Sequence, residues 1–154
     1  MKRASIALLA LVVLVGLSTV IASCRAGEVG RVDGKLRPCP RPSNCVCSED
    51  ENAPIAPLEF AGDPDRAFQS LVDFLEAEPR VSLQTVEPDY AHAVFKTRVM
   101  RFRDDVEFRV DAEQGVIHVR SASRVGYSDL GANRARIESI RERWQPPADT
   151  TEAP

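Results

Sequence analysis

The 154-residue chain is poor in the groups that most often announce a chemistry. It holds two histidines, His92 and His118, both on predicted strands and far from the cysteines, so the paired ligand spacing of a zinc site is missing. No Cys-x-x-Cys stands ready to open a redox helix, and no Gly-x-Ser-x-Gly elbow presents a nucleophile. A formal net charge of −3 excludes the strongly basic composition that a nucleic-acid partner requires. Without a positioned nucleophile, a metal set or a cofactor loop, the chain reads as a non-enzymatic domain with no catalytic residue, metal or cofactor. No internal repeat is visible.

Charge is also absent from Ala4 to Ser23, and this absence is informative. Lys2 and Arg3 supply a basic start, a Leu/Val/Ile/Ala run follows, and the run closes on Ile21-Ala22-Ser23-Cys24. A basic region, an apolar region and small residues at the cleavage point are the parts of an export signal, here residues 1–23. The closing four residues resemble the bacterial lipobox, whose cysteine receives a diacylglyceryl group. Cys24 is therefore the expected lipidation site and the domain's link to a membrane. An uncleaved anchor is the competing reading, since about 20 uncharged apolar residues span a bilayer. An anchor has no reason to set a cysteine directly after two small residues. Both readings export the rest of the chain. Many lipoproteins retained at the inner membrane of Gram-negative bacteria carry Asp where this chain has Arg25. That resemblance favours the periplasmic face of the outer membrane over the inner membrane.

Residues 24–37 combine three glycines (Gly27, Gly30, Gly34) with charges and few large apolar groups, which predicts a flexible tether. The domain follows over 38–145, as a Cys/Pro-rich loop (38–57) and a body (58–145). Pro146-Pro147 then opens an expected disordered tail, 146–154. In an oxidising compartment thiols default to disulfides. Cys39 with Cys45 is the preferred pair, because five intervening residues with Pro38, Pro40 and Pro42 nearby can bend into a closed loop. Cys47 is left odd, either free or paired between molecules.

Gly62-Asp63-Pro64 marks a helix start, with Asp63 as cap and Pro64 at the first helical position. Phe68, Leu71, Val72 and Leu75 then repeat on one face of a helix over about 64–78. Four strand-like runs follow, 81–87, 90–99, 105–110 and 116–123, with turns at Pro88-Asp89 and Gly115. Ser128 and Asp129 can cap a last helix from about Leu130 to Trp144. The expected fold is α+β: a four-stranded antiparallel sheet with an N-terminal and a C-terminal helix packed on one face. Alternation assigns Ala91, Ala93, Phe95, Val106, Phe108, Val110, Ile117 and Val119 to the core. His92, Lys96, Arg98, Glu107, Arg109, His118 and Arg120 fall on the other face. That face is mostly basic and suggests an anionic ligand. The plainer reading is a solvated polar face, common in antiparallel sheets.

The densest polar stretch runs from Arg120 to Arg134. A strand-to-helix turn there sets helix N–H groups beside Arg124 and can hold an anion. Arg120, Ser121, Ser123, Arg124, Tyr127, Ser128, Asp129, Asn133 and Arg134 are the candidate ligand-binding residues. Against this, Asp129 can occupy the helix donors itself and Arg124 can pair with Asp104 or Asp105, leaving a satisfied structural network. Ser121, Ser123, His118 and Asp129 hold the letters of a hydrolase triad. Ser123 and His118, however, differ in strand parity and point to opposite faces. The strings "DDVEFRV", "GVIHVRSASRVGYSDLGANRARIESIR" and "LRPCPRPSNCVCSE" resemble the bacterial and plastid family catalogued as domain of unknown function 1499, over nearly all of Leu36 to Arg141. This chain has Cys47 where that family usually has Ser. The resemblance carries no activity with it. The function expected is a cell-envelope lipoprotein that binds an envelope protein or an anionic envelope ligand. The alternative is a hydrolase or transferase acting on an anionic envelope substrate.

Overall fold

A computed structural model of the chain describes residues 28–40 and 42–148. The expected signal peptide, Cys24, the start of the tether and residues 149–154 of the tail lie outside the described residues. In chain order, β1 (Arg31–Val32) and β2 (Lys35–Leu36) form a hairpin, and a 3-10 turn (Pro42–Asn44) leads into β3 (Cys45–Cys47). Then come β4 (Leu58–Glu59), helix α1 (Pro64–Ala77), β5 (Val81–Glu87), β6 (Tyr90–Lys96), β7 (Arg103–Asp111), β8 (Val116–Ser123) and helix α2 (Ala132–Arg143). Among the described residues no helix is long and apolar enough to cross a membrane.

The mixed α+β class stands, but the sheet has six strands where four were expected. Its order is β3-β8-β7-β6-β5, antiparallel throughout, and β4 pairs with the other half of β8. The two additional strands come from the Cys/Pro-rich segment and lie end to end along β8, with Val46 opposite Ser121 and Leu58 opposite Ile117. Strands of two and three residues hold too few alternating positions to show a period, so composition alone read them as loop. Cys39 and Cys45 form a disulfide that closes the turn before β3.

Local chemistry explains the element ends. Asp63 Oδ1 accepts from the Arg66 amide at 2.8 Å, and Pro64 opens α1 without wasting a donor. Gly115 sits at φ 66°, where its carbonyl accepts from the Phe60 amide and a Cβ would stand 3.3 Å from the Phe60 carbonyl oxygen. The strand expected to reach Val99 stops at Lys96. Thr97 closes a loop there: its amide donates to the Phe102 carbonyl and its hydroxyl accepts from the Phe102 amide, both at 2.9 Å. Helix α2 starts at Ala132 because Leu130 and Gly131 take left-handed φ of 53° and 83°. Asp129 still serves the helix start, accepting from the Gly131 amide at 3.0 Å and the Asn133 amide at 2.8 Å.

Phe68, Leu71, Val72 and Leu75 of α1 and Ile137 and Ile140 of α2 share one buried cluster with Ala91, Val106, Phe108, Ile117 and Val119. These strand residues are the alternate positions read as core from sequence. Leu71, Leu75, Phe108 and Ile137 are fully buried, each contributing about 1.5–3 kcal/mol.

The other sheet face is not in water. Tyr90, His92, Asp105, His118 and Arg120 are all buried there and Glu107 has no exposure at all, so the expectation of a solvated face is overturned. The cover is the segment before β3. Leu36 is buried with Tyr90 and Cys47, and the Gly30 amide donates to Glu107 Oε1 at 2.5 Å. Arg31 pairs with Glu87 and Asp89 and lies over the Tyr90 ring, 5.1 Å from its centroid. Residues 28–37, expected as part of a flexible tether, are folded onto the sheet.

Candidate functional site

Strand register builds an ionic layer beneath that cover. His92, Glu107, Arg120 and Cys47 stand opposite one another in one row across β6, β7, β8 and β3. Val94, Asp105, Ala122 and Cys45 form the next row. Glu107 accepts from the Tyr90 hydroxyl at 2.8 Å and from Arg120 Nη1 at 2.5 Å, besides the Gly30 amide. Burial and then the Glu107 charge push the Tyr90 phenol far above its ordinary value. Asp105 takes Arg124 in a fork, with Nε and Nη2 at 2.9 and 2.8 Å, and lies 2.8 Å from His92 Nε2. Arg109 forks Glu49 at 3.2 and 2.8 Å. The expected positive field of this face is thus neutralised pair by pair, because its carboxylates come from Glu49, Asp105 and Glu107. Burial alone would raise the Glu49 carboxyl, but the Arg109 donors and the Leu36 amide outweigh it and hold it below the carboxylate range. Asp50 is lowered in the same way by the Cys39 and Asn52 amides, against burial.

On the helix side of the sheet a second polar network surrounds Asn133, which is fully buried. Its side chain accepts from Ser121 Oγ at 2.7 Å and donates to the Asn44 carbonyl at 2.8 Å and to Ser123 Oγ at 3.0 Å. Arg136 joins it to Asp104, donating to Asn133 Oδ1 and to the Asp104 carboxylate.

Between the disulfide loop and the end of β8 a cleft of about 700 Å³ opens on the ionic face. Arg37, Asn44, Arg120, Ser123, Arg124 and the Cys39 half of the disulfide are among its walls. Among the described residues three buried side-chain atoms have no hydrogen-bond partner: Arg37 Nε, Asn44 Oδ1 and Arg120 Nε. All three residues line this cleft. A neighbouring cleft of about 550 Å³ is lined by Arg80, Ser82, Lys96, Arg103 and again Arg124.

The structure separates the residues read from the 120–134 stretch. Arg120 and Arg124 stand at the cleft, Ser121 and Asn133 lie in the helix-side network, and Ser123 lines the cleft while its Oγ accepts from Asn133. Tyr127 and Ser128 are exposed in the connecting loop, where the Tyr127 carbonyl accepts from Ser43 Oγ and Ser128 Oγ accepts from the Leu130 amide at 3.3 Å. Asp129 serves the start of α2, and Arg134 Nη2 donates to the Pro54 carbonyl at 2.5 Å. Arg37 and Asn44 were missed, since both sit in segments that composition reads as connectors. His118 does meet a serine, but it is Ser48, whose Oγ lies 3.1 Å from His118 Nδ1 and also accepts from the Val119 amide. Neither residue lines either of these two clefts, and burial lowers the His118 pKa. Cys47 is fully buried and free, and burial pushes its thiol up to about 11. Among the described residues no group of three His, Cys, Asp or Glu is placed to hold a metal ion.

These features define a disulfide-closed α+β domain, apolar on one sheet face and ionic on the other, with a cleft of mixed lining where the ionic layer ends. The chain belongs to the family described as "Protein of unknown function (DUF1499)", whose model matches residues 35–143. No curated protein matches it.

Proposed function

We propose that the chain is a cell-envelope lipoprotein, fixed through a lipid on Cys24 to the extracytoplasmic side of a membrane, whose folded domain binds an anionic envelope component without transforming it. The observation that carries the reading is the placing of the three unpartnered atoms. A buried polar group without a partner costs about 1–3 kcal/mol, and here three such groups stand in the walls of one cleft. Two are guanidinium N–H donors and one is an amide oxygen. Their complement is an oxygen-rich anion carrying a neighbouring hydroxyl or amide N–H. Neighbouring atoms screen all three from solvent. Arg37 is the movable part of that wall, since its only side-chain partner among the described residues is Glu28 at 3.5 Å and that carboxylate is 90% exposed.

Binding is favoured over catalysis because no nucleophile meets a base in the cleft. Ser123 is held by Asn133, and the Cys47 thiol is buried and protonated. The test is native mass spectrometry of the full chain extracted from its own membranes in mild detergent. The expected result is a chain that begins at an acylated Cys24 and retains an anionic adduct. Val125→Trp, which fills the cleft from a half-buried position, should lose that adduct. An unmodified N-terminus would overturn the lipoprotein part. An adduct that survives Val125→Trp, or none at all in the native chain, would overturn the cleft.

A further inference from the structure

Four large apolar side chains are more exposed than any others among the described residues: Leu130 at 96%, Val99 at 83%, Tyr127 at 76% and Met100 at 63%. Antiparallel register brings all four to one end of the sheet. Val99 and Met100 tip the β6–β7 loop, and Tyr127 and Leu130 lie in the β8–α2 loop. Lys96 pairs with Arg103, Asp104 with Ser123, and the Arg124 amide donates to the Arg103 carbonyl, so the two loops leave the same edge of the fold.

The same end is cationic. Arg98 and Arg101 flank the Val99-Met100 tip. The smaller cleft beside it is lined by Arg80, Lys96, Arg103 and Arg124, and no carboxylate lines it. Arg124 is already paired with Asp105, but Arg80 and Lys96 pair with no carboxylate among the described residues. Arg80 also holds a left-handed φ of 67°, which is costly for a residue with a Cβ.

The third observation is reach. The described residues begin at Glu28, which lines the larger cleft together with Val125 and Gly126 of the β8–α2 loop. Three residues lie between it and Cys24, and those four residue steps span about 14 Å at most. An anchor on Cys24 therefore holds this end of the domain within one side-chain layer or two of the lipid headgroups.

We infer that this end of the sheet docks onto an anionic phospholipid surface, the leaflet that holds the anchor. Val99, Met100, Tyr127 and Leu130 enter the interface, where apolar and aromatic groups are favoured. Arg80, Lys96, Arg98 and Arg101 meet headgroup phosphates, each cation strengthening attachment to an anionic leaflet about fivefold. The larger cleft then opens beside the membrane. This inference rests on the lipoprotein reading above, since the anchor is what brings the surface to the bilayer.

Met100→Trp reports the contact, because the native Trp144 is buried. The acylated full chain is reconstituted into phosphatidylcholine vesicles with or without phosphatidylglycerol, each doped with a brominated lipid. With phosphatidylglycerol, the fluorescence of the new Trp should shift to the blue and be quenched, and high salt should reverse both. Adding Lys96→Gln and Arg98→Gln should lower the docked fraction about 25-fold. Val32→Trp, near the opposite end, should stay in water. A Met100→Trp signal unchanged by phosphatidylglycerol while the protein remains on the vesicles would overturn the docking inference and leave the anchor standing. Failure of the chain to stay on either vesicle would remove the anchor itself.

Discussion

Replacing Glu107 with Gln keeps the side chain's shape and removes its charge, which isolates what the ionic layer does for the fold. Glu107 is fully buried and Arg120 is 3% exposed, so the guanidinium loses its counter-ion in a place water does not reach. Breaking one partner of such a pair costs about 3–5 kcal/mol, because the surviving charge is left desolvated. A small domain has roughly 5–15 kcal/mol in all, so Glu107→Gln should take away a large share of it. For a domain of this size the melting temperature should fall by roughly 12 °C or more. Urea unfolding of the full chain, followed by circular dichroism, measures the loss. The Gly30 amide donates to the same carboxylate, so tryptic cleavage at Arg31 or Lys35 should also accelerate. The double variant Glu107→Gln with Arg120→Met should recover most of the stability, since no charge is then buried alone and the Gln oxygen can still accept from Tyr90 and Gly30. A Glu107→Gln loss below about 1 kcal/mol, the value of an exposed pair, would refute the reasoning. An equal loss in an Arg120→Met background would also refute it, by showing that the pair is not the cause.

Asn133→Ala removes a buried amide bonded to Ser121, Ser123 and the Asn44 carbonyl, and should cost about 2–4 kcal/mol in a thermal melt. A loss near zero would mean that the network is dispensable. Cys47, fully buried with its thiol pushed up to about 11, should resist iodoacetamide at mildly alkaline pH and react only when urea is added. Fast labelling of the native chain would contradict its placement. Glu49 and Asp50 are held below their ordinary values, so the stability they contribute is complete above about pH 5 and is lost as pH falls through their lowered folded values. The urea midpoint should therefore drop in acid, and Glu49→Gln should shrink the drop; a midpoint that rises in acid would contradict the sign.

Much of the apolar half of this fold is legible in the sequence, because its signals are local. Asp63-Pro64 announces α1 through its own cap, and the alternation from Ala91 to Val119 selects the side chains that meet the helices. The ionic half is hidden, because its partners are remote. Glu107 meets Gly30, which lies 77 positions away, and Arg109 meets Glu49 at a separation of 60. Alternation marks a polar face but carries no sign of whether a distant segment covers it. The Gly-rich run before β3 was read as a tether for the same reason: Arg31 pairs with Glu87 and Asp89, not with neighbours. The Arg120–Arg134 stretch was dense enough to attract notice, yet strand parity splits its side chains between the two faces. Only the register of β8 against β3 and β7 shows which of them reach the cleft, and that Asn44 and Arg37 join them.

In the proposed function, the cleft holding Arg37, Asn44 and Arg120 is where this domain meets its ligand. A crystal structure of the full chain with the adduct that co-purifies from membranes tests it most directly. Density for that adduct is expected in the cleft, within hydrogen-bond distance of Arg120 Nε and Asn44 Oδ1, with Arg37 displaced from Glu28. An adduct seated elsewhere, with those atoms still unpartnered, would contradict it.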